Sequence, residues 1–337
     1  MYQSDVEYLC PSDFLGERLL QSDLAAEFPL YLYVPDDSAF LLYSKSITSL
    51  LEDERLKRPL ALSDEGVSFL LQSGVIPPPK TIYENIYILG IGNKAKITTD
   101  GHHLTIEFKN NFPFFNDSAV CPGAPKPDAD KILELIAKAV IGRIDGTKRT
   151  FLFHSAGKDS NTVALALSEA GWQDKVTLLT HKSEGERDES ATSAKIAKKL
   201  GFPHTILKTS PQLDVHTKHT FKNYFTYAPL PSTDTVTLAY PLYTHQMPEL
   251  LGANVIDGSG NDVYIGHVPD LREYRGQNLS KMLQEFRFAA KYLRSESIWH
   301  SATRSRVEWC GLGGFSFRDS EKIFPAGLDS TAYWKGR

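Results

Sequence analysis

Two short segments gather residue types that handle phosphates. The first reads His154-Ser155-Ala156-Gly157-Lys158-Asp159-Ser160-Asn161 and lies between an apolar strand pattern, Thr150 to Phe153, and a helical one, Asn161 to Ala170. Small residues let the backbone approach a ligand, and a helix N-terminus turns unpaired N–H groups toward an anion. Ser155 and Ser160 add hydroxyl donors and Lys158 adds a charge. Asp159 would repel a bare phosphate, so its place there makes sense if it holds a magnesium ion that bridges phosphates. The same residues also read as an ordinary helix start capped by Ser or Asp.

The second segment, Ile256-Asp257-Gly258-Ser259-Gly260-Asn261-Asp262-Val263, follows another strand pattern, Asn254 to Ile256. Two glycines and an acid at a strand end again point to close backbone approach and a further metal ligand, Asp262. The competing reading is a glycine-rich turn with a solvated Asp. His216 and His219, with Asp214, have helical i, i+3 spacing, but no third strong ligand stands near them in sequence, and a solvent-facing helix accounts for them.

The elements that must position these loops follow from periodicity. Ile132, Leu135, Ile136, Ala139 and Val140 recur at helical spacing and predict an amphipathic helix. After it, strand patterns at Thr150–Phe153, Val176–Thr180, Thr205–Leu207 and Asn254–Ile256 alternate with helical ones at 161–170 and 188–200, the latter stopped at Gly201. Such alternation predicts an α/β fold: a parallel sheet with helices on both faces, binding ligands beyond the carboxyl ends of its strands. The loops after Phe153, Thr180 and Ile256 are the places to look.

Earlier in the chain, residues 28–108 predict strands at 28–34 and 39–44, helices at 47–56 and 63–72, and a hairpin in Lys94–Phe108 with a tight turn at Asp100-Gly101. Ser63 is the expected N-cap of the second helix, with Gly74 near its end. The Pro- and Asn-rich stretch 111–127 reads as a linker. The predicted organisation is therefore a small α+β domain at 1–110, the linker, and the α/β domain at 128–337.

Composition excludes several function classes. The 337 residues carry a net charge of −4, so there is no general attraction to nucleic acid or anionic membrane. Cys10, Cys121 and Cys310 form no CxxC pair, which fits a reducing compartment. The first residues lack a basic segment followed by an apolar run, and no apolar stretch approaches the ~20 residues of a membrane span. A soluble, cytoplasmic protein is expected.

Ser155-Ala156-Gly157-Lys158-Asp159-Ser160 resembles the SGGxDS signature of PP-loop ATP pyrophosphatases, with Ala156 in place of a glycine. It is not a Walker A loop. Gly258-Ser259-Gly260-Asn261-Asp262 is similar to the SGxGxDE segment of the asparagine synthetase and β-lactam synthetase branch of that family. The segment Glu184 to Glu189, followed by Ala194, Ala197, Leu200-Gly201 and His204, resembles another family stretch, in which Arg187 would approach the nucleotide. Pro229, Pro231, Ser232 and Asp234 resemble a stretch that closes over the site. Similarity also reaches back to Gly74–Ile86, which looks like the junction between glutaminase and synthetase domains.

The resemblance implies an ATP-dependent ligase that activates a small-molecule or peptide-type carboxylate as an acyl-adenylate, releasing pyrophosphate, for attack by an amine. The implied ATP-binding set is Ser155, Ala156, Gly157, Asp159, Ser160, Thr180, Gly258, Ser259 and Gly260, with Mg2+ on Asp159 and Asp262. Lys158, His154 and Lys335 are the candidates for catalysis, the last because a C-terminal lysine serves lactam synthetases. The chain departs from the family in two respects. Tyr2 stands where the family's glutaminase has Cys, so glutamine hydrolysis is not expected, and the N-terminal domain is left as a packing platform or a docking surface for a partner protein or carrier-bound substrate. Ser259 replaces the Glu or Tyr that helps deprotonate the amine, and Val263 replaces an acid. His154, His181 and Glu308 are the candidate substitutes for the base. Two other readings are a degenerate ATP-binding partner protein without ligase activity, and a PP-loop tRNA-modifying enzyme. The missing cysteine pair and missing basic surplus count against the second.

Overall fold

The computed structural model describes residues 5–111 (apart from 15 and 24), 128–182, 188–208, 242–258 and 271–284, with short stretches between 218 and 302. The chain divides into two compact units. One comprises Met1–Asn116, Phe225–Asp234 and Pro269–Arg337, and the other Asp117–Tyr224 and Thr235–Val268. The sequence-based division at 1–110 and 128–337 differs in giving everything after the linker to one domain. Among the described residues, no helix is long and apolar enough to cross a membrane.

In the first unit, β1 (Glu7–Leu9), β3 (Leu30–Tyr33), β4 (Leu41–Ser44) and β5 (Ile86–Leu89) form an antiparallel sheet in the order β1-β4-β3-β5. β2 (Glu17–Gln21), β6 (Asn93–Thr99) and β7 (Leu104–Asn110) form a second, ordered β2-β6-β7. Period-two alternation explains how they stack. Leu30, Leu32, Leu41 and Leu89 turn to Ala95, Ile97 and Leu104 of the second sheet. Tyr33, Leu42 and Ile86 turn the other way, onto Leu50 of α1 (Ile47–Glu52). Each fully buried Leu of this kind contributes about 2 kcal/mol.

α2 (Asp64–Ser73) starts and stops as its sequence demands. Ser63 accepts the Gly66 N–H, and Gly74 ends the helix at φ 75°. The hairpin is present, but its loop holds four residues, with Thr99 paired to Leu104. Asp100 accepts the N–H groups of both His102 and His103, which widens the turn. α1 is also shorter than expected, because Arg55 and Leu56 follow a break at Asp53. β1 and β2 have no counterpart in the sequence reading.

The second unit has a wholly parallel sheet in the order β10-β9-β8-β11, from β8 (Thr150–Phe153), β9 (Val176–Lys182), β10 (His204–Lys208) and β11 (Asn254–Ile256). α3 (Ala129–Ile141), α4 (Lys158–Glu169) and α5 (Ser190–Leu200) cover one face, around Leu152, Leu167, Leu178 and Ala197. Tyr243 and Leu250 cover Phe151, Leu179 and Leu207 on the other face. Helices on both faces were expected; among the described residues the helices longer than two turns lie on one. Two successive right-handed crossovers, β8-α4-β9 and β9-α5-β10, move the same way across the sheet and so leave their helices on the same side. The buried stripe of α3 also differs from the expected one. Ile136, Val140 and Ile141 pack inward with Ala137, whereas Ile132 and Leu135 are exposed. α6 (Leu271–Gln284) belongs to the first unit.

The strand order reverses at β8: β9 and β10 lie to one side and β11 to the other. In open α/β sheets the crevice that takes a ligand lies beyond the carboxyl ends of the strands at such a reversal. Both motif loops start there.

Candidate functional site

The first loop is held from within. Ser160 Oγ accepts the Ser155 N–H at 3.0 Å, Ser155 Oγ accepts the Gly157 N–H at 3.0 Å, and the two hydroxyls lie 3.1 Å apart. The serines thus shape the loop rather than point freely into solvent. Gly157 has ordinary extended angles, φ −71° and ψ 152°. Its lack of a side chain matters for space, since a Cβ there would lie 3.1 Å from Ser155 Oγ.

Gly157 is also the N-cap of α4, and a glycine offers no side-chain acceptor. The first intrahelical bond is Asn161 N–H to the Gly157 carbonyl, at 3.2 Å. The N–H groups of Lys158, Asp159 and Ser160 therefore have no acceptor within the helix, and the helix dipole adds positive potential there. Lys158 is exposed and Asp159 half-buried in this first turn. An uncapped N-terminus, one flexible cation and one hard oxygen donor suit a metal-bound polyphosphate.

The second loop meets the first at Gly258. A Cβ on Gly258 would lie 2.9 Å from the Ser160 nitrogen and 3.2 Å from its Cα, so the backbones touch and only glycine fits. β11 is brought to this point by its pairing with β8, Ile256 opposite Leu152. At the far end of β11, Asn254 ties the strand to the segment before β8, accepting from Asp145 N–H at 3.1 Å and donating to the Asp145 carbonyl at 2.9 Å. Ser259, Gly260, Asp262 and Lys335 lie outside the described residues, as do Arg187, His216 and Glu308.

His154 and Thr180 do not face the crevice, contrary to expectation. Both are buried, at 3% and 2% exposure. His154 Nε2 meets Asn161 Oδ1 at 2.9 Å, and the Asn161 amide donates to the Gly157 carbonyl at 2.8 Å. That assignment makes Nε2 the protonated nitrogen, so Nδ1 accepts from the Ser193 hydroxyl. Burial holds the His154 imidazole below its ordinary value, against a smaller opposing pull from Asn161. A neutral histidine with both nitrogens engaged is no proton acceptor for a substrate. Thr180 donates to the His154 carbonyl at 2.8 Å and contacts His204 Nε2 at 2.8 Å. The network His204–Thr180–Ser193–His154–Asn161 supports the loop from beneath. His181, another candidate base, is hydrogen-bonded to Tyr243, whose phenol burial pushes up to about 12.

One residue at the loop was missed. Glu189 Oε2 accepts the Ala156 N–H at 2.9 Å. Its sequence context, a charged run before a helix, reads as a solvated helix start; only the spatial closeness of α5 to the β8 loop gives it a role. A separate cleft of about 180 Å³ in the first unit is lined by Ser63, Lys80, Thr81 and Tyr83 among others. Its polar groups are already served: Lys80 pairs with Glu65, and Thr81 donates to the Ile86 carbonyl at 2.8 Å. Among the described residues, none of the candidate site residues lines it.

No protein-family model matches the chain, and no curated protein does. Among solved structures, an NH3-dependent NAD synthetase from Campylobacter jejuni in complex with the nitrate ion overlaps with a TM-score of 0.29 and 15% identity, over 63% of this chain and 93% of that one. A glutamine-dependent NAD+ synthetase from Acinetobacter baumannii in complex with ADP overlaps with a TM-score of 0.28 and 12% identity, over 81% of this chain and 60% of that one. Overlaps this loose carry no argument about fold, ligand or reaction.

Proposed function

We propose that the crevice beyond β8 and β11 binds ATP with magnesium, and that the chain is an AMP-forming ligase that activates a carboxylate as an acyl-adenylate for attack by an amine. The observation that carries this reading is the contact of Gly258 with the Asp159–Ser160 backbone at the uncapped start of α4. Two glycine-bearing loops, distant in sequence, meet where the strand order reverses. In this reading the N–H groups of Lys158 and Asp159 bind phosphate oxygens, Ser155 and Ser160 hold the loop in shape, and Lys158 offsets charge on the departing pyrophosphate. Asp159, with Asp262, would hold magnesium, which supplies electrostatic stabilisation of the phosphates. Because His154 is engaged in the interior, the amine must be deprotonated by another group or be a weak base such as a hydroxylamine.

The test is ATP binding by calorimetry with and without magnesium, followed by AMP and pyrophosphate release with pooled carboxylates. Asp159→Asn is expected to lower turnover on the order of a hundredfold or more while leaving the thermal transition in place. ATP binding without AMP release under any carboxylate would favour a binding protein over a ligase. Unaltered ATP affinity and turnover in Asp159→Asn would remove the basis of the reading.

A further inference from the structure

Three consecutive N–H groups of the first loop have acceptors, and they differ in kind. Those of Ser155 and Gly157 are satisfied by serines of the loop and of α4's first turn. That of Ala156 is satisfied from a different element, by the Glu189 carboxylate at the start of α5. Glu189 is the N-cap residue of α5 yet makes no side-chain cap bond to its own helix. Asp188 does that work instead, accepting the Ser190 N–H at 3.0 Å. The Glu189 side chain is thus spent on the neighbouring loop, and it is exposed.

Resting on the nucleotide reading above, we infer that Glu189 is a displaceable internal ligand of the loop, seated on the Ala156 N–H and released when a phosphate group takes that donor. A carboxylate oxygen and a phosphate oxygen accept the same charge-assisted bond. One N–H cannot serve both at full strength, and two anions beside one another repel. The exposed glutamate can swing into water at little desolvation cost, whereas the serine contacts that shape the loop remain. Glu189 therefore opposes binding of any polyanion by a fixed amount and keeps the donor from orphaning in its absence.

The probe is inorganic pyrophosphate with magnesium, titrated calorimetrically into the full chain as wild type, Glu189→Gln and Glu189→Ala. Glu189→Ala is expected to bind about tenfold more tightly than wild type, the factor one charge-assisted hydrogen bond supports. Glu189→Gln, which can accept the N–H but carries no charge, is expected to fall between. The Ala156 amide resonance of the ligand-free protein should shift in Glu189→Ala, and wild type should approach that position on adding pyrophosphate. If wild type binds and Glu189→Ala binds equally or more weakly, the inference is overturned and the nucleotide reading stands. If no form binds pyrophosphate or ATP, the nucleotide reading fails and the inference with it.

Discussion

α2 and α4 begin with similar residues and end with different tasks. Ser63-Asp64-Glu65-Gly66 opens α2, and Ser155-Ala156-Gly157-Lys158-Asp159-Ser160 opens α4. In α2 the serine hydroxyl takes the Gly66 N–H and closes the helix end, and the glycine lets the Thr81 carbonyl come close. In α4 the serines bond to the loop, no side chain caps the helix, and the closely approaching glycine, Gly258, comes from a different strand end. Composition at a helix start therefore does not separate a packing contact from a ligand site. What separates them is where the serine oxygens go and whether the helix's own donors stay open.

The largest expected effect tests that contrast with the two glycines. Gly258→Ala places a Cβ 2.9 Å from the Ser160 nitrogen, and the loops must part to admit it. A shift of that size at a binding loop costs on the order of a hundredfold in turnover. Gly66→Ala places a Cβ 2.3 Å from the Thr81 oxygen, and costs about 1–3 kcal/mol of stability as an overpacked contact. ATP titration and thermal denaturation of both variants distinguish the two costs. Equal loss of ATP affinity in both would mean that the two helix starts are alike after all.

Next in size is a difference in acid sensitivity. Burial holds His154 and His204 below the ordinary 6.5, so folding favours their neutral forms. The unfolded chain takes up protons near that ordinary value before the folded one does. The stability contributed by the neutral pair is complete above about 6.5 and is lost as pH falls through the lowered folded values. In the first unit, Asp53 is held below its ordinary 3.8 chiefly by the Arg55 side chain, and Asp100 by the His103 N–H. Their contribution is present above 3.8 and lost only in more acidic solution. Amide protection factors should therefore fall in β8 and β9 between pH 7 and 5 while those of β6 and β7 hold. Parallel loss in both pairs of strands would show that the buried histidines are not the cause.

Much of the second unit was legible because local pattern and tertiary role agree there. The strands at 150, 176, 204 and 254 are short apolar runs bounded by turns, and Gly201 ends α5 at φ 85°. α4 starts three residues earlier than its periodicity, because Lys158, Asp159 and Ser160 are polar residues already in the first turn. β1 and β2 stayed hidden, being defined by pairing with β4 and β6 rather than by their own composition. The meeting of the loops that carry Gly157 and Gly258 was legible from glycines placed at two strand ends. The burial of His154 and Thr180, and the reach of Glu189 across to Ala156, depend on how α5 packs against β9, which no local pattern encodes.

The smallest expected effects come from the serines, and they sharpen the same comparison. Ser63→Ala leaves the Gly66 N–H without its cap, at a cost of about 1 kcal/mol, and ATP affinity is expected to hold. Ser155→Ala removes the acceptor of the Gly157 N–H and one partner of Ser160 Oγ. It leaves the buried network beneath intact, since His154 and Asn161 reach the loop through the Gly157 carbonyl. The fold should therefore hold while the loop loses definition, with ATP affinity down by about tenfold, the worth of one well-made hydrogen bond in a closed site. Thermal midpoints and ATP titrations on the two alanine variants give a crossed pattern: stability moves for Ser63 and binding for Ser155. A Ser155→Ala protein that binds ATP normally but melts early would make the loop serine a cap like Ser63, and the distinction between the two helix starts would then rest on Gly258 alone.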